Sequence, residues 1–227
     1  MTAAGGSTAD AVADAVVDLV GLLAYAELTA FDRLVDDARL APTLEDRAAL
    51  AGMAVAEFGH YQRLHDHLEK DLNVDAETAM TPFVAVLDAF HESTAPADWL
   101  EGLVKAYVGD GMAMDFYREA AQRVQEPTRS LVLDVLADTG HAAFAVDHVR
   151  AAINDEPSLA GRLALWARRL VGEALTQAYR VAAERESLTR LIVGPDETSS
   201  DLAEMGRMLA RLTENHEARM AALGLQA

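Results

Sequence analysis

Three observations predict an all-α protein. Apolar residues recur at spacings of three and four rather than two, alanine, leucine and charged residues dominate, and Gly and Pro gather in a few clusters. A first helix is expected from about Asp10 to Arg39, with Val16, Val20, Leu23, Glu27, Phe31 and Leu34 on one stripe, and Pro42 marks the turn after it. Thr43 followed by Asp46 has the form of a capping box. A second helix therefore starts there and runs to about Lys70, with Leu50, Met53, Ala54, Glu57, His60, Tyr61, Leu64 and Leu68 facing inward.

Between Asp71 and Pro96 the pattern gives a long connection holding Pro82 and Pro96, with one short helical piece around Phe83 to Phe90. A third helix, from about Ala97 to Gln125, places Leu103, Tyr107, Asp110, Met114 and Tyr117 on one stripe. Pro127 and Thr128 restart the chain. A fourth helix to about Asn154 then turns Leu131, Val135, Asp138, His141 or Ala142, Ala145 and Val149 inward. Glu156-Pro157-Ser158 opens a fifth helix to about Val193, and Gly194-Pro195 with the polar run to Ser200 separates a sixth to about Leu223. The expected organisation is a disordered N-terminus over 1–9, a four-helix bundle over 10–155 with a long crossover between its second and third helices, and two additional helices over 156–227 packed on the same domain.

Composition narrows the function classes. The 227 residues carry a formal net charge of −18, which disfavours nonspecific phosphate binding across the surface. The absence of cysteine removes disulfides, thiolate zinc sites, iron–sulfur clusters and cysteine nucleophiles together. The most hydrophobic stretch, Val16 to Phe31, is interrupted by Asp18 and Glu27, so no membrane span is expected, and the first nine residues do not read as a signal peptide. A cytoplasmic protein is the resulting expectation.

The informative residues are polar groups where the helical period demands apolar ones, because an ionised carboxylate in an apolar interior needs a compensating partner. Each of the four bundle helices offers one: Glu27, Glu57 with His60, Asp110, and Asp138 with His141. Glu27 and Glu57 flank a turn near residue 42, and Asp110 and Asp138 one near residue 126, so all four fall at similar depth. Glu57-Phe-Gly-His60 and Asp138-Thr-Gly-His141 repeat one local pattern, with carboxylate and imidazole three apart on one helical face. One carboxylate from each of two helices, plus a carboxylate–histidine pair from each of the others, is the donor set of a dinuclear metal site in a ferritin-like bundle. Four carboxylates balance two divalent cations, and two imidazoles favour iron or manganese over calcium or magnesium.

At these residues the chain resembles the ferritin-like non-haem di-iron proteins, and more specifically the tRNA hydroxylase family MiaE and its actinobacterial-type relatives. The stretches LLAYAELTAFDRL, MAVAEFGHYQRL, KAYVGDGMAMDFYREA and VLADTGHAAFAV are similar to that family's four ligand-bearing helices, over about residues 11 to 155. The resemblance implies two irons and dioxygen acting on a modified adenosine in tRNA. It makes Glu27 and Asp110 terminal ligands, Glu57 and Asp138 bridging ligands, and His60 and His141 the nitrogen ligands. Asp110 and Asp138 depart from the usual glutamate and are shorter by one methylene, ~1.5 Å of reach. Asp115 is a substitute for Asp110 in type only, since five residues along a helix turn it ~140° off the stripe.

The remaining features read more plainly. Gly59, Gly109, Gly111 and Gly140 beside the proposed ligands point to close helix approach, a local bulge or substrate space. Tyr25, Tyr61, Tyr107 and Tyr117 read as core with a polar tip, and His65, His67, His91, His148 and His216 lack a ligand pattern. Trp99 and Trp166 are expected to pack the extra helices. Arg162, Arg168, Arg169, Arg180, Arg185 and Arg190 form one basic stretch that is expected to pair with the acidic body rather than with phosphate. The expected activity is that of an oxygen-activating di-iron oxidoreductase. Its partners are dioxygen and an external electron donor, since the chain has no Gly-rich dinucleotide fingerprint; tRNA is implied by resemblance and opposed by net charge, and a homodimer is allowed. Iron oxidation or storage and a metal-free scaffold are the alternative readings.

Overall fold

The computed structural model describes residues 8–137, 140–193 and 199–227. Its described residues form helices and connecting turns, beginning with α1 (Thr8–Ala38) and α2 (Leu44–Asp66). These two form an antiparallel hairpin closed by the predicted cap: the Thr43 hydroxyl oxygen accepts from the Asp46 N–H at 3.1 Å. The hydroxyl also donates to the Asp46 carboxylate at 2.7 Å. Leu34, Ala38, Leu50 and Ala54 are buried where the two helices meet near the turn. After Asp66 the helix widens into a π turn, His67–Asp71.

The crossover is a full helix, α3 (Ala76–Ser93), rather than the short piece expected. Asp75 caps it by accepting from the Thr78 N–H at 2.7 Å. Pro82 removes one helical hydrogen bond without ending the helix, because Ala79, Phe83, Val86 and Phe90 bury its inner face. Where α3 crosses α1, a Cβ built on Gly21 would stand 2.4 Å from the Ala79 carbonyl oxygen, so the crossing requires glycine there.

The third bundle helix is α4 (Trp99–Val104) continuing through a π turn, Lys105–Gly109, into α5 (Asp110–Ala121). The fourth is interrupted: α6 (Thr128–Val135) and α7 (His141–Asp155) are separate helices. Gly140 before α7 has φ 99°, a left-handed conformation that glycine adopts without a Cβ clash and that ends any continuous helix. The expected fifth helix divides at Arg185 into α8 (Leu159–Glu184) and α9 (Glu186–Val193), and α10 (Ser199–Leu223) completes the chain.

The added helices share the bundle's core. Leu163, Ala167 and Leu170 of α8 and Met220 and Leu223 of α10 are buried with Val104, Val108, Ala145 and Val149, supporting the π turn that precedes Asp110. At the α8–α9 break, Arg185 donates to the buried Asp18 of α1, Nε to Oδ2 at 3.1 Å, and Ser187 bonds the same carboxylate. This pair fixes α9 on α1, because removing Arg185 would leave a buried anion without its cation. Among the described residues no helix is long and apolar enough to cross a membrane.

Candidate metal centre

Glu27 sits mid-helix on α1, and Glu57 and His60 lie one turn apart on α2, so the hairpin brings all three side chains together. His60 Nδ1 is 3.3 Å from Glu27 Oε2 and 3.1 Å from Glu57 Oε2. Ligand atoms of the three residues all fall within 4.8 Å of one another. Both carboxylates are buried, at 5% and 4% exposure, which is exceptional for glutamate. His141, the first residue of α7, reaches the other side of the same carboxylate: its Nδ1 is 3.2 Å from Glu57 Oε1. Each oxygen of Glu57 therefore faces the Nδ1 of an imidazole from a different helix.

Asp110 follows directly on the π turn, which adds one residue to a helical turn and re-aims the next side chain. It is placed beside the cluster, and burial pushes its carboxyl up to about 7 against the opposing pull of Lys105, with the Glu57 and Asp37 charges raising it further. It is not among the three side chains that converge within 4.8 Å. Asp138 lies outside the described residues. α7 begins at His141, directly behind the left-handed Gly140.

The electrostatics are those of a compact buried cluster. Burial holds the Glu27 carboxyl well above the usual carboxylate range. Burial also opposes the Glu57 anion, yet hydrogen bonds from His60 and Glu27 and the charge of His141 hold its pKa below the usual range. The hydrogen bonds to Glu27 and then Glu57 raise His60 to about 9, outweighing its burial. Tyr117 of α5 is buried nearby, and desolvation together with the Glu27 and Asp110 charges raises its phenol, keeping it protonated.

A residue the sequence pattern did not single out completes the surroundings. Lys105 is only 4% exposed; its ammonium donates to the Thr94 carbonyl at 2.9 Å and lies 5.4 Å from the centre of the Phe90 ring. Burial lowers it to about 8 against the pull of Asp110 and Asp37. A lysine set inside the apolar run from Leu103 to Val108, one turn before Asp110, was the available signal.

The other sequence candidates lie elsewhere. Asp115 is bound by Arg219 at 2.5 Å, Asn215 at 3.1 Å and Arg118 at 3.2 Å, which ties α5 to α10. His67 bridges Asp71 and Thr128, and His148 bridges the Phe144 carbonyl and Asp46, both structural roles. Tyr25 donates to Asp88 at 2.7 Å. Trp166 donates to the Glu101 carbonyl and Trp99 packs edge-on against Phe144. A Cβ on Gly111 would press on Arg219, whereas Gly59 and Gly140 border open space. The six arginines from Arg162 to Arg190 all make contacts within the chain, including Arg162 with Asp98 and Glu101 and Arg190 with Glu186.

An all-helical bundle with buried carboxylates and imidazoles meeting between its helices defines a ferritin-like protein. The chain belongs to the actinomycete ferritin-like domain family, whose family model matches residues 10–195. The matched segment includes α8 and α9 and stops before α10, so the family unit is larger than the four bundle helices alone. No curated protein matches the chain.

Proposed function

We propose that this chain is a dinuclear iron protein of the oxygen-activating oxidoreductase class, resembling the MiaE-like tRNA hydroxylases in its donor set. The observation that carries the reading is the Glu57 carboxylate between two imidazoles, His60 Nδ1 on one oxygen at 3.1 Å and His141 Nδ1 on the other at 3.2 Å. That is the arrangement a carboxylate shared by two cations requires, and the oxygen and nitrogen donors suit iron or manganese. Glu27, Glu57 and His60 would hold one cation. Glu57, His141 and Asp110 would hold the other, with Asp138 as the further donor the sequence offers.

Two ferrous ions bound there supply the electrons and the Lewis acidity that dioxygen chemistry needs. The chain's residues do the rest. Glu27 and His60 release their protons when a cation takes the place of those protons, so binding is linked to pH. Glu57 orients both imidazoles through its two oxygens. Tyr117 holds its proton at the phenol oxygen beside Glu27 and Asp110, and Leu23, Leu64 and Leu68 form part of the buried apolar cluster that includes Tyr117. With no cysteine and no dinucleotide fingerprint, reducing equivalents come from a separate donor. The charge of −18 and the internal pairing of the α8–α9 arginines weigh against a polyanionic substrate, although tRNA is what the family resemblance implies.

Anaerobic titration with ferrous iron followed by admission of dioxygen tests the reading. Two ions per chain and a ferric absorption band on oxygenation are expected. Glu57→Ala, which removes the shared ligand, should lose both ions, whereas His141→Ala should retain the first. A folded protein that binds no iron would favour the alternative of a scaffold held together by its own protons and by Lys105.

A further inference from the structure

Helix α2 is apolar on two sides. Its inward positions Leu50, Ala54 and Leu64 are buried. On the opposite side Leu44, Ala48, Ala51, Val55, Phe58 and Gln62 follow one another at spacings of four and three, the repeat that keeps side chains on one seam of a helix, and all six are exposed. Leu44 is 83% exposed, Val55 70% and Phe58 37%. Between Ala48 and Gln62 the acidic and basic residues are Glu57 and His60, and both turn inward to the metal cluster. The outward seam therefore carries no charge over about four turns, in a chain of which 25% of residues are charged. A helix apolar on both sides is suited to lie between two layers. Here α2 packs chiefly on α1, which supplies one of them.

We propose that the second layer is another copy of this chain, the two α2 helices packing antiparallel about a two-fold axis level with Met53. In that register Phe58 faces Ala48 of the partner subunit and Val55 faces Ala51 of the partner subunit. Each of these layers joins a large side chain to a small one, and each contact occurs twice, as a closed two-fold interface requires. Beside the seam a Cβ added to Gly52 or Gly59 would meet nothing within 4 Å, so the two backbones have room to approach closely. Charge selects the occupant. Each copy carries −18, so two copies repel wherever acidic faces meet, and a neutral seam removes that repulsion at the contact. The same seam offers no countercharge to a strongly acidic or basic partner. It is about 27 Å long on a helix about 10–12 Å across, smaller than the roughly 800 Å² per partner of a standard interface. The dimer is therefore expected to exchange with monomer. It does not depend on the metal reading.

Sedimentation velocity of the full chain over a concentration series, with a chelator present, tests the pairing. Wild type is expected to shift from 24.4 kDa towards twice that mass as concentration rises. Val55→Glu and Ala51→Glu, which put charge on the seam, should each raise the dimer dissociation constant at least about tenfold. Leu165→Glu, at a position 65% exposed on α8, should leave it within about threefold. Helical circular dichroism equal to wild type in either seam variant separates lost pairing from lost folding. Because the chain has no cysteine, an introduced one is the only thiol. An oxidised mixture of Ala51→Cys and Val55→Cys should form the mixed disulfide about fivefold or more over either variant with itself. A wild type that stays monomeric, one that grows beyond a dimer, or a dimer that persists in both seam variants would overturn the proposal. Disulfides predominantly between like variants would overturn the antiparallel register.

Discussion

Stripped of metal by a chelator, the protein should lose stability as pH rises from about 6 to about 8, and His60 sets most of the size of that loss. Its pKa is raised from 6.5 to about 9 by hydrogen bonds to Glu27 and Glu57. A proton held more tightly in the folded state stabilises that state fully below the unfolded value of 6.5, and the contribution disappears as pH climbs through 9. Between pH 6.5 and 8 this amounts to about 2 kcal/mol at roughly 1.4 kcal/mol per unit; above pH 8 Lys105, whose pKa burial lowers to about 8, works in the opposite direction. Glu27 acts in the same direction, since burial raises its pKa and its ionisation at high pH adds buried negative charge. Urea unfolding in chelator at several pH values reads the effect as a falling midpoint at constant slope. His60→Gln should decline much less over the same interval, keeping only the smaller slope that the raised Glu27 and Asp110 carboxyls contribute. An unchanged wild-type midpoint between pH 6.5 and 8, or an equal decline in His60→Gln, would refute the proton-bridged cluster.

Two glycine positions give further expectations. Gly140→Ala places a Cβ at φ 99°, costing about 1–2 kcal/mol in thermal or chemical unfolding, and by shifting His141 it should weaken iron binding on the His141 side of Glu57 more than on the His60 side. Gly21→Ala forces a Cβ against the Ala79 backbone and should cost about 1–3 kcal/mol, whereas Gly52→Ala, with nothing within 4 Å, should stabilise α2 by about 0.5–1 kcal/mol. Equal melting temperatures for the Gly21 and Gly52 variants would contradict the close α1–α3 crossing.

The sequence carried the bundle through signals that are local. Thr43 and Asp46 announced the start of α2, and Glu27, Glu57 and His60 stood out because the 3.6-residue period put charge on an apolar stripe. What it did not carry depends on contacts distant in the chain. Pro82 reads as a breaker until α1 and α8 cover the face of α3, although Asp75 and Thr78 already offered a cap. The run Glu184-Arg185-Glu186 shows no stop signal, and the α8–α9 break follows from Arg185 turning to the buried Asp18, an acid some 167 residues away. Gly140 was visible as a glycine beside a ligand, but a glycine takes a left-handed φ or a helical one with equal ease, so its φ of 99° leaves no mark in the sequence. The π turn before Asp110 leaves no mark on periodicity beyond one displaced residue, which is why Lys105 and Asp110 do not read as neighbours in the sequence.

The central claim is a pair of cations sharing Glu57, and anomalous diffraction at the iron edge from crystals grown anaerobically with ferrous iron addresses it most directly. The account predicts one peak among Glu27, Glu57 and His60 and a second between Glu57 and His141. Ordered crystals at saturating iron with no peak at Glu57, or with peaks only at surface carboxylates, would contradict it.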